Sequence, residues 1–181
     1  MKATRLLLAL LLAGLLSLTT DDAFAQRGND RPRPSPNAAV SQTIGTTVVD
    51  LHYSRPGVKG RTVFGELAPW GEVWRAGANE PTTITLSGPV KVGGKDLAAG
   101  TYNLFIRPNQ NGDWDVIFTT PVRWGTMFGD ATPVLEVKAT PAQAPAQEWL
   151  AYTFENLTES SADLVLHWAT TRLPITISVG N

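Results

Sequence analysis

The chain has 181 residues, 15 Lys or Arg against 16 Asp or Glu for a net charge of −1, and no cysteine. The near-neutral balance, without any basic block, excludes nucleic acid as an expected partner. The missing thiols exclude disulfides, a cysteine nucleophile and a lipid anchor on a cleavage-site cysteine.

In chain order, Met1, Lys2 and Arg5 open the sequence, an apolar run covers Leu6 to Leu18, and Ala23-Phe24-Ala25 places small residues at a cleavage site. This pattern predicts a secretory signal over 1–25, cut near Ala25-Gln26, and a periplasmic or secreted destination. The run is shorter than the roughly 20 residues that cross a bilayer, so no transmembrane anchor is expected. QRGNDRPRPSPN, residues 26–37, holds three prolines, three arginines and no apolar side chain, and reads as a disordered or polyproline-like linker. A single domain is expected over 38–181.

Period-2 alternation then recurs while period 3.6 is nearly absent, which predicts half-buried strands. Val49, Leu51 and Tyr53 share one strand face, and Ile84 with Leu86 another. Gly93-Gly94 supplies the positive φ of a two-residue hairpin turn between Val90-Val92 and Lys95-Leu97. Tyr102, Leu104 and Ile106 alternate, and PNQNG leads into Trp114, Val116 and Phe118, a second hairpin with Asp113 and Asp115 expected to face water. Val134 to Val137, Leu150 to Phe154, Leu164 to Trp168 and Ile175 to Val179 mark four more strands, with PAQAPAQ (141–147) read as a turn. The expected fold is all-β, an antiparallel β-sandwich of about nine or ten strands, with a closed antiparallel β-barrel as the alternative.

The long segment from Tyr53 to Pro81, YSRPGVKGRTVFGELAPWGEVWRAGANEP, lacks clean alternation yet contains enough apolar residues to anchor itself. Its guanidinium and indole groups could hold a sugar or an anionic group, so Trp74, Arg75, Asn79, Glu80, Arg55 and Arg61 are the candidate ligand-binding residues, together with Trp124 of a second Arg-Trp pair. The competing structural reading pairs those arginines with Glu66, Glu72 and Glu80 and stacks them on the tryptophans.

Catalytic alternatives are thinner. No G-x-S-x-G, phosphate-binding loop or dinucleotide fingerprint occurs. Asp50, His52 and His167 make a poor zinc set, so no metal and no cofactor are expected. A hydrolase would need a facing carboxylate pair drawn from Glu72, Glu80, Asp113 and Asp115, and nothing in their spacing selects one.

The blocks YSRP (53–56), KGR (59–61), PWGEVWRAGANEPTTIT (69–85), AGTYNLF (99–105), WDVIF (114–118) and WG (124–125) resemble those of the domain of unknown function 2911 family. The resemblance implies an exported or envelope protein without an established activity, and it carries over no functional residues. The leading expectation is a non-catalytic binding or interaction module for a glycan or an envelope protein. The alternatives are a carbohydrate-active hydrolase and a purely structural envelope module.

Overall fold

The computed structural model describes residues 32–122 and 128–180. The expected leader, the first half of the expected linker and Trp124 lie outside those residues. Among the described residues the fold is all-β, with ten strands in two antiparallel sheets that do not close into a barrel. The six-stranded sheet has the order β1 (Asn37–Ile44), β2 (Thr47–Ser54), β3 (Thr83–Leu86), β6 (Gly100–Arg107), β7 (Trp114–Thr120) and β8 (Thr132–Ala139). The four-stranded sheet has the order β5 (Lys95–Leu97), β4 (Val90–Val92), β10 (Ser161–Ser178) and β9 (Ala142–Glu155).

Alternation accounts for the core. Val49, Leu51, Ile84, Leu86, Leu104, Ile106, Val116 and Phe118 point inward from the larger sheet and meet Leu150, Tyr152, Leu164, Leu166 and Ile177 of the smaller one. Two buried tyrosines add polar ties. Tyr152 donates its hydroxyl to the Ala76 carbonyl at 2.8 Å, and its own backbone N–H donates to Tyr53 Oη at 3.1 Å. Full burial, with Tyr53 beside it, pushes the Tyr152 phenol well above its usual range.

The β4–β5 hairpin turns on Gly93 and Gly94 with φ of +54° and +81°, as the sequence predicts. Other expectations shift. An additional strand, β1, precedes the first predicted one and pairs with β2 along its full length. Residues from Arg33 onward form one compact unit. Ala142 to Gln147, read as a turn, belongs to β9. The two strands expected over 164–179 form one run, β10, that doubles back near Ala169, where φ is +52° and the register slips. The fold-back follows from reach: a straight strand rises about 3.3 Å per residue, yet Thr176 Oγ1 donates to Asp163 at 2.7 Å and Val179 N–H to the Ser160 carbonyl at 2.9 Å.

Asp115 does not face water. It is buried at 7% exposure on the outer side of β7, bound by Arg107 Nη1 at 2.9 Å and by the Lys138 ammonium. Phe105, Ile117, Asn103 and Thr119 are also buried, so β6 and β7 are covered on both faces. Their inward neighbours alternate as predicted, and the outward set is what other segments of the chain pack against.

Candidate ligand-binding cleft

The segment between β2 and β3 is an ordered excursion that does three separate jobs. Where it leaves β2 it crosses to the other sheet: Leu150 N–H donates to the Pro56 carbonyl at 3.0 Å, and Val58 N–H to the Glu148 carbonyl at 2.8 Å. Arg55 Nε donates to the Leu150 carbonyl at 2.7 Å, and Arg61 donates to the carbonyls of Val58 and Gly57 at 3.1 and 2.7 Å. These guanidiniums satisfy backbone acceptors of an irregular crossing.

In the middle, the aromatic residues form a cluster. Phe64 lies against Trp70, Trp74, Trp114 and Trp168, with ring centroids 4.6 to 6.4 Å apart. Trp74 stacks on Trp168 at 5.5 Å and 21°. Gly65, at φ +101°, is needed here, because a Cβ on it would sit 2.6 Å from the Trp70 indole nitrogen.

At the far end, Glu80 is buried at 3% exposure and receives the Arg33 guanidinium and the Ser54 hydroxyl, the latter at 2.9 Å. Arg33 Nη1 also donates to Asn37 Oδ1 at 3.2 Å. Burial alone would raise the Glu80 carboxyl. The hydrogen bonds from Arg33, from its own backbone N–H and from Ser54, with the Arg33 charge, outweigh that and hold it below the usual carboxylate range. Asp115 follows the same physics: burial pushes it up, and the Lys138 and Arg107 hydrogen bonds and charges bring it below its ordinary value.

Arg75 behaves differently. Trp74 pairs with Ile106 through two backbone hydrogen bonds of 2.7 and 2.9 Å, which continues the sheet past the end of β3. Alternation then sends Trp74 inward and its neighbours Val73 and Arg75 to the outer face, with Arg75 opposite Phe105. There a cleft of about 300 Å³ opens, lined by Leu67, Pro69, Val73, Trp74, Arg75, Phe105, Phe128 and Gly129. Phe128, from the 3₁₀ turn Phe128–Asp130, packs edge-on against Phe105 at 5.6 Å and forms the opposite wall.

Arg75 is exposed and donates Nη1 to the Asn79 carbonyl at 2.9 Å. Asn79, at φ +57°, anchors that turn by donating Nδ2 to the Ser35 carbonyl at 3.1 Å. A guanidinium has five N–H donors, and the remaining ones of Arg75 meet no acceptor among the described residues.

The sequence candidates therefore separate. Among the described candidates, only Trp74 and Arg75 border the cleft, Asn79 orients Arg75, and Arg55, Arg61 and Glu80 are occupied elsewhere by internal partners. Phe105 and Phe128 are not among the residues that composition singles out. A signal for Phe105 does exist in NLFIR and VIF, where both phases of the alternation are apolar and a covered outer face is implied. Among the described residues no three His, Cys, Asp or Glu side chains group as metal ligands. His52 pairs with Asp50 at 2.8 Å, and His167 donates to the Pro145 carbonyl at 2.9 Å.

A family model described as protein of unknown function (DUF2911) matches residues 35–177. The chain belongs to the DUF2911 family. No curated protein and no solved structure matches it. The DUF2911 match spans β1 to β9, β10 as far as Ile177 and the whole excursion, and it begins at Ser35, the residue whose carbonyl holds Asn79.

Proposed function

We propose that this DUF2911 protein is an exported, non-catalytic binding module whose cleft beside Arg75 receives a component of the bacterial cell envelope. The observation that carries the reading is the pairing of an open apolar cleft with a positioned, exposed guanidinium at its border. Small-molecule sites are usually concave and mostly apolar with a few placed polar groups, and this cleft lies at the small end of the roughly 300–1,000 Å³ range. Export rests on the leader pattern of residues 1–25. Of the two ligand types expected from the sequence, the lining supports an envelope component with an apolar part over a glycan.

A hydrolase finds less support. General acid catalysis needs a carboxyl that keeps its proton near neutral pH. Glu80 and Asp115 are each bound by cations that hold them ionised, and Glu72 and Asp113 are exposed on the surface.

The test is a thermal-shift and calorimetric screen of cell-wall, lipid and polysaccharide fragments against the wild type and Arg75→Gln. At least one fragment should bind the wild type and lose affinity in the variant. A screen without hits, or hits indifferent to the substitution, would contradict the reading.

A further inference from the structure

The chemistry around Arg75 narrows the class of ligand, given that the cleft is a binding site as proposed. Of the eight residues that line the cleft, Leu67, Pro69, Val73, Phe105 and Phe128 bring apolar side chains, and Gly129 brings none. The Trp74 side chain turns inward onto Trp168, so the hydrogen-bonding side chain among them is that of Arg75. A sugar, with a hydroxyl on nearly every carbon, would leave most of its polar groups unpaired against such walls, and each unpaired group carries a desolvation penalty.

The charge inventory points the same way. Arg107, further along the same outer face, is already matched to Asp115 at 2.9 Å and Glu136 at 3.7 Å. Lys138 is matched to Asp115. Glu66 and Glu72 of the excursion are exposed and do not line the cleft. Arg75 is therefore the one charged group among the described lining residues, tethered through Nη1 to the Asn79 carbonyl with its other N–H groups unclaimed by any described residue. A single planar fork suits the two oxygens of one carboxylate.

We infer that the cleft binds an apolar monocarboxylate, with the carboxylate on Arg75 and the hydrocarbon body between Val73, Leu67 and the Phe105–Phe128 pair. The apolar body supplies most of the affinity through burial, and Arg75 selects the anion over its neutral counterpart.

Octanoate and 1-octanol serve as probes, titrated calorimetrically into the wild type, Arg75→Gln and Val73→Asp, with circular dichroism confirming that each variant is folded. The wild type should bind octanoate at one site and octanol more weakly. Arg75→Gln should weaken octanoate by about ten- to a hundredfold, the worth of a charge-assisted hydrogen bond, and leave octanol unchanged. Val73→Asp, which puts a like charge inside the cleft, should remove octanoate binding. Equal affinity for octanoate and octanol, or octanoate binding that ignores Arg75→Gln, would overturn the inference. If octanoate fails while an envelope fragment or glycan binds in an Arg75-dependent way, the monocarboxylate falls and the binding-module reading stands. If no probe or fragment binds at all, both fall.

Discussion

Trp74 and Arg75 are consecutive residues with opposite fates. Trp74 turns inward and stacks on Trp168, while Arg75 turns outward at the border of a cleft, and five residues further on Glu80 is buried again beneath Arg33. A polar-aromatic stretch is thus no unit of function by itself. The backbone pairing of Trp74 with Ile106 imposes the period of a strand on the segment, and that period divides scaffold from surface. Polar character alone misleads here, since Glu80 is among the most buried side chains of the excursion and its partner lies 47 residues earlier.

If the inward half is scaffold, damage to it should be large. Trp168→Ala, which empties the fully buried end of the indole stack, should cost about 4 kcal/mol in urea denaturation. A loss under about 1 kcal/mol would show that the aromatic cluster is not part of the core.

Arg33→Ala is the next sharpest break, because it leaves the Glu80 carboxylate buried with only Ser54 and its own backbone N–H and without a cation. The expected loss is about 3 kcal/mol, and unchanged stability would mean that residues before β1 are dispensable to the fold.

The paired acids make a pH prediction. Glu80 and Asp115 have folded pKa values below their ordinary 4.5 and 3.8, so the unfolded chain binds more protons than the folded one as pH falls below about those values. The stability they contribute is therefore complete above about pH 5 and lost progressively on further acidification. Glu80→Gln should flatten this acid limb of the denaturation free energy, and an acid limb that keeps its wild-type steepness would contradict the assignment.

Tyr152→Phe removes one buried hydrogen bond and should cost about 1 kcal/mol. The Ala76 carbonyl keeps a donor, Thr82 Oγ1 at 3.2 Å, so no orphan acceptor remains. A loss as large as that of Trp168→Ala would mean that this hydroxyl orders more than its own contact.

Much of the scaffold is legible in the sequence because its strands alternate cleanly: Val49-Leu51-Tyr53, Ile84-Leu86 and the Gly93-Gly94 turn stand where period 2 and turn chemistry put them. β1 is harder to read because Ala38, Val40 and Gln42 form a weak, half-buried inward row in which only Ile44 is fully buried. PAQAPAQ resembles a turn because of its prolines, yet Pro141 precedes β9 and Pro145 lies within it, where a strand on the edge of its sheet can accommodate a proline. The charge of Asp115 suggests a place in water, and only the partners Arg107 and Lys138 from adjacent strands explain its burial.

The candidate site is half legible. Composition draws attention to Trp74 and Arg75, but Phe128 reaches the cleft from a turn more than fifty residues later, and the Arg33–Glu80 pair closes across a similar span. No local pattern encodes such contacts. They arise when the sheet fixes distant segments against one another.

The most direct test sets the two ends of VWRAGANE side by side, measuring the unfolding free energies of Arg75→Gln and Glu80→Ala in urea at pH 7. Arg75→Gln should stay within about 0.5 kcal/mol of wild type, while Glu80→Ala should lose about 3 kcal/mol by stranding Arg33 and emptying a buried site. Equal losses in the two variants would show that Arg75 is scaffold as well, and the cleft would lose its place as a binding surface.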